Sequence, residues 1–193
     1  MARPIEYNKD EVLSKAMRVF WLYGYESTSM KDLVEATGMT TRSMYNIFKS
    51  KNGLFKAILE WYYKTNMDRP YENLIEENGL SAVRKFALAV ADLLDQMNSK
   101  TPMGCLFTNT MSERNCVDID SFYIVDEYFN KLEEAFKSKL QYAIECENYK
   151  GDYVLRAKQL IVMIQGLSVY SKNSYADRDC RMIVDDFLTL IDI

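Results

Sequence analysis

Apolar residues recur at helical spacing along most of the chain. Val12, Ala16, Val19, Phe20 and Tyr23 mark a first helix, with Asn8 ahead of it as an N-cap and Glu11 three residues on, as in a capping box. Gly24 closes it, because glycine takes the left-handed C-cap conformation without penalty. Ser29 opens a second helix with Asp32 near its positive end; Leu33, Val34 and Ala36 form its apolar side, and Gly38 ends it early. Thr40 or Thr41 opens a third that runs through Phe48, with Met44 and Phe48 one turn apart on one face. Ser50 opens a fourth, with Leu54, Phe55, Ile58, Leu59 and Tyr62 as its buried stripe and Pro70 as its expected limit.

Longer helices are expected beyond Pro70. One spans about Leu80 to Met97, ending before Pro102, and a shorter one begins around Met103 to Leu106. Another runs from about Ser121 to Cys146, with Ile124, Phe129, Leu132, Phe136, Leu140 and Ile144 on its apolar side. After a break at Gly151, two more cover about Asp152 to Asn173 and Arg178 to Leu190. With only three prolines and seven glycines in 193 residues, an all-α fold is expected.

Composition narrows the function. At 48% apolar and 27% charged residues the chain is of ordinary globular type. No apolar run reaches the roughly 20 residues of a membrane span, and no apolar signal core follows the N-terminus, so a cytoplasmic protein with no membrane partner is expected. The four cysteines form no C-x-x-C pair and read as free thiols in a reducing compartment. The absence of histidine excludes Ser-His-Asp and Cys-His enzymes and removes the commonest zinc ligand. With no clustered carboxylate motif either, no catalytic residue, metal or cofactor is expected.

The net charge of −4 hides an asymmetry. Residues 1–69 carry 11 Lys and Arg against 8 Asp and Glu, whereas the remainder carries 13 against 20. The basic segment coincides with two short helices joined by Gly38-Met39-Thr40, a helix-turn-helix pattern. A tight glycine turn lets the third helix cross the second and project outward, and an α-helix fits the major groove of B-DNA. With Met44 and Phe48 facing inward, Arg42, Ser43, Tyr45 and Asn46 are left on the other side, able to hydrogen-bond to base edges or phosphates.

The stretches Gly24-Tyr25-Glu26-Ser27-Thr28-Ser29-Met30-Lys31-Asp32-Leu33 and Gly38-Met39-Thr40-Thr41-Arg42-Ser43-Met44-Tyr45-Asn46-Ile47-Phe48-Lys49-Ser50-Lys51 resemble the TetR family of bacterial repressors over roughly residues 8–60. The resemblance implies an N-terminal helix-turn-helix domain (1–50), a connecting helix (51–69) and a C-terminal helical ligand-binding and dimerisation domain (70–193). It implies double-stranded DNA as partner, read as a near-palindromic operator by a homodimer that a small-molecule effector releases. Thr28 and Tyr45 match phosphate-holding positions, and Lys51 matches a lysine that meets the DNA backbone. Thr40, Thr41, Arg42, Ser43 and Asn46 complete the expected DNA-binding set, with the last four at sequence-reading positions. Ile47 departs from the pattern, since it stands where the family often has a phosphate-touching His or Tyr. Lys31 and Lys49 read as solvated positive charges, and Arg3 as a disordered terminus first and a basic arm for the minor groove second.

The last two helices carry Leu160, Ile161, Met163, Ile164, Leu167, Val184, Phe187, Leu188 and Ile191, an apolar surplus that suggests pairing with a second copy. Phe86, Leu93, Met97, Cys105, Phe107, Phe122, Tyr123, Met163 and Tyr170 are candidate walls of a ligand pocket, against the plainer reading of aromatic and Met residues as core. Cys105 precedes Leu106 at or near a helix start, where a thiolate is stabilised, and Gly104-Cys105-Leu106 is similar to a TetR-like subgroup that senses reactive species by cysteine. Two alternatives to a ligand-released repressor therefore stand: release by oxidation or electrophile modification of Cys105, and a helical interaction protein without DNA binding.

Overall fold

The computed structural model describes residues 7–97, 104–172 and 179–193; the expected basic arm at Arg3, the helix end at Asn173 and the starts at Met103 and Arg178 lie outside them. The described residues form helices and turns with no strand. In chain order the α-helices are α1 (Lys9–Tyr23), α2 (Met30–Thr37), α3 (Thr41–Phe48), α4 (Lys51–Tyr62), α5 (Asp68–Glu76), α6 (Gly79–Asp95), α7 (Leu106–Ser112), α8 (Ile119–Cys146), α9 (Tyr153–Tyr170) and α10 (Cys180–Leu190).

The first four helices begin where side-chain caps close exposed N–H groups. Asn8, Ser29, Thr40 and Ser50 each accept from backbone amides of the following turn. At α2 the box is complete, because Asp32 accepts in return from Ser29 N at 2.8 Å. Glu11 does not make the box expected of it: its carboxylate ion-pairs with Lys15 one turn along, at 2.6 Å. Ala36, expected on the apolar side of α2, is exposed, since the buried side of that short helix is formed by Leu33 and Thr37.

Pro70 does not limit the fourth helix. A π-type turn at Tyr63–Met67 carries the chain from α4 directly into α5, an element the sequence pattern does not announce. Pro70 lies near the start of α5, just after that π turn.

Helices α1–α3 make a small head, and α5–α10 a body, with α4 packed against both α1 and α8. The head closes around Ala16, Phe20, Leu33 and Met44, all at most 2% exposed. The body is a bundle in which α8 packs on α6 and α9, and α10 packs on α6. Leu132, Phe136 and Leu140 of α8 are fully buried, whereas Ile144, expected on the same stripe, is 38% exposed. The apolar residues of α9 and α10 that suggested a second copy turn inward: Leu160, Val184 and Leu188 are fully buried, Ile164, Leu167 and Ile191 nearly so, and Ile161, Met163 and Phe187 half-buried. Other residues carry the exposed apolar surface of these helices, as described below. The four cysteines are free, with Cys180 buried, Cys105 half-buried, and Cys116 and Cys146 exposed.

Candidate nucleic-acid interface and inner cavity

The turn between α2 and α3 is built by three residues. Gly38 sits in the left-handed region at φ 72° and donates its N–H to Val34 O, ending α2. Met39 is 3% exposed and plugs the turn into the head core. Thr40 then caps α3: its hydroxyl oxygen accepts from Ser43 N at 3.1 Å, and the two hydroxyls meet at 2.9 Å.

Met44 and Phe48 anchor α3 from below. On the opposite side Thr41, Arg42, Tyr45 and Asn46 are exposed, spaced one turn apart in two adjacent rows, so that the four form one outward stripe. Ser43 is half-buried beside Thr40. Ile47 is 52% exposed at the edge of the stripe, an apolar face in a polar setting. Lys49 folds its ammonium back onto Asn46 O at 2.7 Å, which satisfies the helix end.

Thr28 and Lys51 are placed otherwise than the outward stripe. Thr28 is 2% exposed and its hydroxyl donates to Gly24 O at 2.6 Å. Lys51 Nζ donates to Tyr25 O and Thr28 O at 2.8 and 2.9 Å and lies 4.3 Å from the centre of the Tyr25 ring. Both side chains therefore hold the turn between α1 and α2 together, and neither presents a free donor to a phosphate in this conformation. Tyr25 is the centre of that turn and carries no sequence signature: its ring lies 4.8 Å from Phe55 and its hydroxyl bonds to Asn52.

In the body, a cavity of about 80 Å³ opens between α6, α7, α8 and α9 and the end of α4. Of the candidate walls, Phe86, Leu93, Met97 and Cys105 line it, joined by residues such as Tyr62, Thr108, Tyr128 and Ser168. Phe107 lies behind the wall, fully buried against Tyr62 and Tyr128 at ring distances of 5.1 and 5.2 Å. Phe122 is half-buried under the Arg114 guanidinium at 4.2 Å, and Tyr123 is 64% exposed in an open groove beside Tyr71 and Lys131. Met163 packs half-buried on the core, and Tyr170 is 38% exposed at the end of α9.

Among the described residues the side chains lining the cavity are uncharged, with Lys172 close by its rim at Gly104 and Cys105. Tyr62 donates to Cys105 Sγ at 3.6 Å, and Cys105 N donates to Ser168 Oγ at 2.7 Å. Burial pushes the Tyr62 and Tyr128 phenols well above the usual tyrosine range, so both stay neutral hydrogen-bond donors.

A short helix thrown outward by a glycine turn, with a polar stripe on its free face, defines the class: helix-turn-helix DNA-binding proteins. The model of the bacterial regulatory proteins of the tetR family matches residues 12–58. The chain is 38% identical over 181 residues to the HTH-type transcriptional repressor ComR of Escherichia coli K12, covering 88% of this chain and 82% of ComR. It is 29% identical over 154 residues to the transcriptional regulator YezE of Bacillus subtilis, covering 79% and 78%. Its fold matches a cysteine-substituted form of the TetR-family regulator CifR bound to a 26-bp operator duplex, with TM-score 0.80, 22% identity and coverage of 97% and 98%. It also matches reduced NemR of E. coli, with TM-score 0.75, 20% identity and coverage of 94% and 95%. The chain belongs to the TetR family and is a DNA-binding transcriptional regulator, not an enzyme. Among the described residues no helix is long and apolar enough to cross a membrane.

Proposed function

We propose that this chain is a homodimeric repressor, released from a near-palindromic operator when a small uncharged molecule enters the body cavity. The observation that carries the release is the cavity itself, largely apolar and furnished with a few neutral polar groups at Tyr62, Cys105, Thr108 and Ser168. Residues 1–50 read DNA, 51–69 link, and 70–193 bind effector and partner.

Thr41, Arg42, Tyr45 and Asn46 meet bases and phosphates from the α3 stripe. Thr40 and Ser43 support that stripe through their mutual hydrogen bond. Thr28 and Lys51 serve DNA binding indirectly, by fixing the turn that precedes α2.

The partner is a second copy. Leu155, Val162 and Val169 of α9 are 51%, 68% and 52% exposed and seven residues apart, so they share one face; Ile183 and Leu190 of α10 repeat that spacing at 41% and 74%. Gly166 lies on the same side of α9 with nothing against it, which allows close approach of another helix. Large apolar side chains repeated on an outward helix face suit a partner helix better than water.

The test is selection of an operator duplex from a random-sequence pool with the full-length protein, followed by sedimentation and titration of that duplex. A dimer bound to a two-fold site supports the reading, and a monomer at micromolar concentration overturns it. Arg42→Ala is expected to relax sequence preference by about 1–3 kcal/mol where it reads a base.

A second reading has its own observation. Cys105 Sγ faces the same cavity and accepts the Tyr62 hydroxyl, so modification of the thiol would place new bulk where a ligand would sit. Peroxide or a mild electrophile then releases wild-type protein from its operator but not Cys105→Ser. Equal release of both, or of neither, leaves the reversible ligand.

A further inference from the structure

The turn between α1 and α2 carries backbone polar groups that the head satisfies on one side only. Lys51 takes its carbonyls. Its amides at Tyr25 and Glu26 donate instead to Glu113, to Oε2 at 2.8 Å and Oε1 at 3.1 Å. Glu113 belongs to the body, 88 positions beyond Tyr25. Each carboxylate oxygen takes one N–H, a charge-assisted pair of the stronger kind. Gly24 makes the approach feasible: at φ +83° it adopts what other residues resist, and a Cβ there would stand 2.8 Å from Glu113 Oε1. Cys116 adds a second tie, donating from Sγ to Glu26 Oε2 at 3.1 Å.

Glu113 is itself held. It ends α7, donating its N–H to Thr110 O at 3.0 Å and accepting from Cys116 N and Val117 N at 2.8 and 3.2 Å. At the other end of this seven-residue helix, Cys105 and Thr108 form part of the cavity wall. The helix is about 10 Å long, two hydrogen-bonded turns that move as a unit. A displacement of α7 at the cavity therefore reaches the Glu113 carboxylate, and through it the backbone that leads into Ser29 and α2.

We propose that Glu113 is a positioning residue for operator binding, through which the cavity at the far end of α7 acts on the DNA-reading head. The proposal rests on the cavity being the effector site. Glu113 touches no DNA; it fixes the turn that sets the entry angle of the helix-turn-helix.

The test uses the full-length protein, its selected operator duplex, and the variants Glu113→Ala, Glu113→Gln, Thr108→Leu and Glu113→Ala with Thr108→Leu. Thr108→Leu fills the cavity from α7 without any ligand. Glu113→Ala is expected to weaken operator binding about tenfold while the dimer is retained, within the usual range of a coupling between sites. Hydrogen exchange at the Tyr25 and Glu26 amides should rise, with α8 unchanged. Glu113→Gln, which keeps one acceptor oxygen, should fall between the two. Thr108→Leu should weaken binding about tenfold in the otherwise wild-type chain but no more than about twofold beside Glu113→Ala, because the connection is already cut. Wild-type affinity for Glu113→Ala overturns the proposal, as does an equal effect of Thr108→Leu in both backgrounds. Should Glu113→Ala fail to fold, the same comparison is made on Glu113→Gln, whose full wild-type affinity and coupling overturn it equally. Thr108→Leu without effect on the wild-type chain fails the cavity reading and the lever with it, whereas the loss in Glu113→Ala is read independently of the cavity.

Discussion

The head and the body pack their aromatic rings around different interiors. In the head, the Phe55 ring meets Phe20 at 4.8 Å and Tyr25 at 4.8 Å, and Phe20 stacks on Tyr25 at 5.9 Å, so three rings close on one another. In the body, Tyr62, Tyr128, Phe86 and Phe129 also meet neighbouring rings, at 5.1–5.6 Å, but on their other side they border about 80 Å³ of space. A helix that must meet DNA in one orientation benefits from an interior with one packing solution. A body that must adopt two arrangements needs room into which side chains can move, and a ligand that favours one of them. Differences in tolerance to substitution should follow this division.

Phe55→Ala should have the largest effect. Its ring is 1% exposed and joins α4 to the head core, so removal is expected to cost about 3–5 kcal/mol, read as a lower urea midpoint and lost operator binding. An equally large loss for Phe129→Ala, at 7% exposure on the cavity wall, would erase the difference between closed head and hollow body.

Lys51→Met comes next. The aliphatic stem is preserved, but the Tyr25 and Thr28 carbonyls lose their shared donor. The expected cost is about 1–3 kcal/mol of stability. Because Lys51 reaches no phosphate in this conformation, the salt dependence of operator binding should keep its slope, whereas loss of a phosphate contact lowers it by about one. A lowered slope would mean that Lys51 leaves the turn when DNA is bound.

The two regions also differ in how far they could be read from the chain. The caps at Asn8, Ser29, Thr40 and Ser50 and the glycine turn are local, each decided within four residues, and the structure has them where the pattern puts them. Lys51 was not legible in the same way, since it acts across a fold contact 23 residues away, and Thr28, which closes the turn locally onto Gly24 O, reads from the sequence like any exposed threonine. In the body, aromatic and Met residues at helical spacing look alike whether they fill a core or line a cavity, so Phe86 and Phe107 could not be separated until their helices were placed. The α9 and α10 surface failed for a related reason: both helices are apolar on more than one side, and which side faces the chain's own core depends on a rotation that periodicity alone leaves open. Glu113 had no signal at all, as an ordinary carboxylate after a short helix.

Ser29→Ala removes a capping box and should cost about 1 kcal/mol, confined to the head. Hydrogen bonds from the Ser29 hydroxyl and N–H hold the Asp32 carboxyl below the usual aspartate value. A carboxylate whose folded value is depressed stabilises the fold above its unfolded value and loses that contribution as pH falls through the folded one. Between about pH 4 and lower values, near the aspartate range, wild type should therefore lose stability of which Ser29→Ala has already lost the hydroxyl part. The difference in melting midpoint between the two should shrink with acidification, and a constant difference would assign the whole effect to the hydroxyl cap.

The smallest change separates the regions most cleanly. Val12 in α1 is 4% exposed within the head core, and Val90 in α6 lines the cavity. Valine to leucine adds the same methylene at both. In the head that group has nowhere to go without displacing its neighbours, and overpacking of this kind costs about 1–3 kcal/mol. At Val90 it can enter existing space, where burying one methylene is worth about 0.8 kcal/mol, and leucine also suits a helix interior better than β-branched valine. Val12→Leu should thus lower the thermal midpoint by several degrees, and Val90→Leu should hold or raise it by about 2–4 °C, measured at equal protein concentration because the proposed dimer would contribute. The same leucine occupies volume that an effector would need, so Val90→Leu should also bind its operator with an altered response to effector while Val12→Leu, where folded, responds as wild type. Equal destabilisation at both positions would show that the body cavity closes in solution, and would leave the head and the body with one packing rule between them.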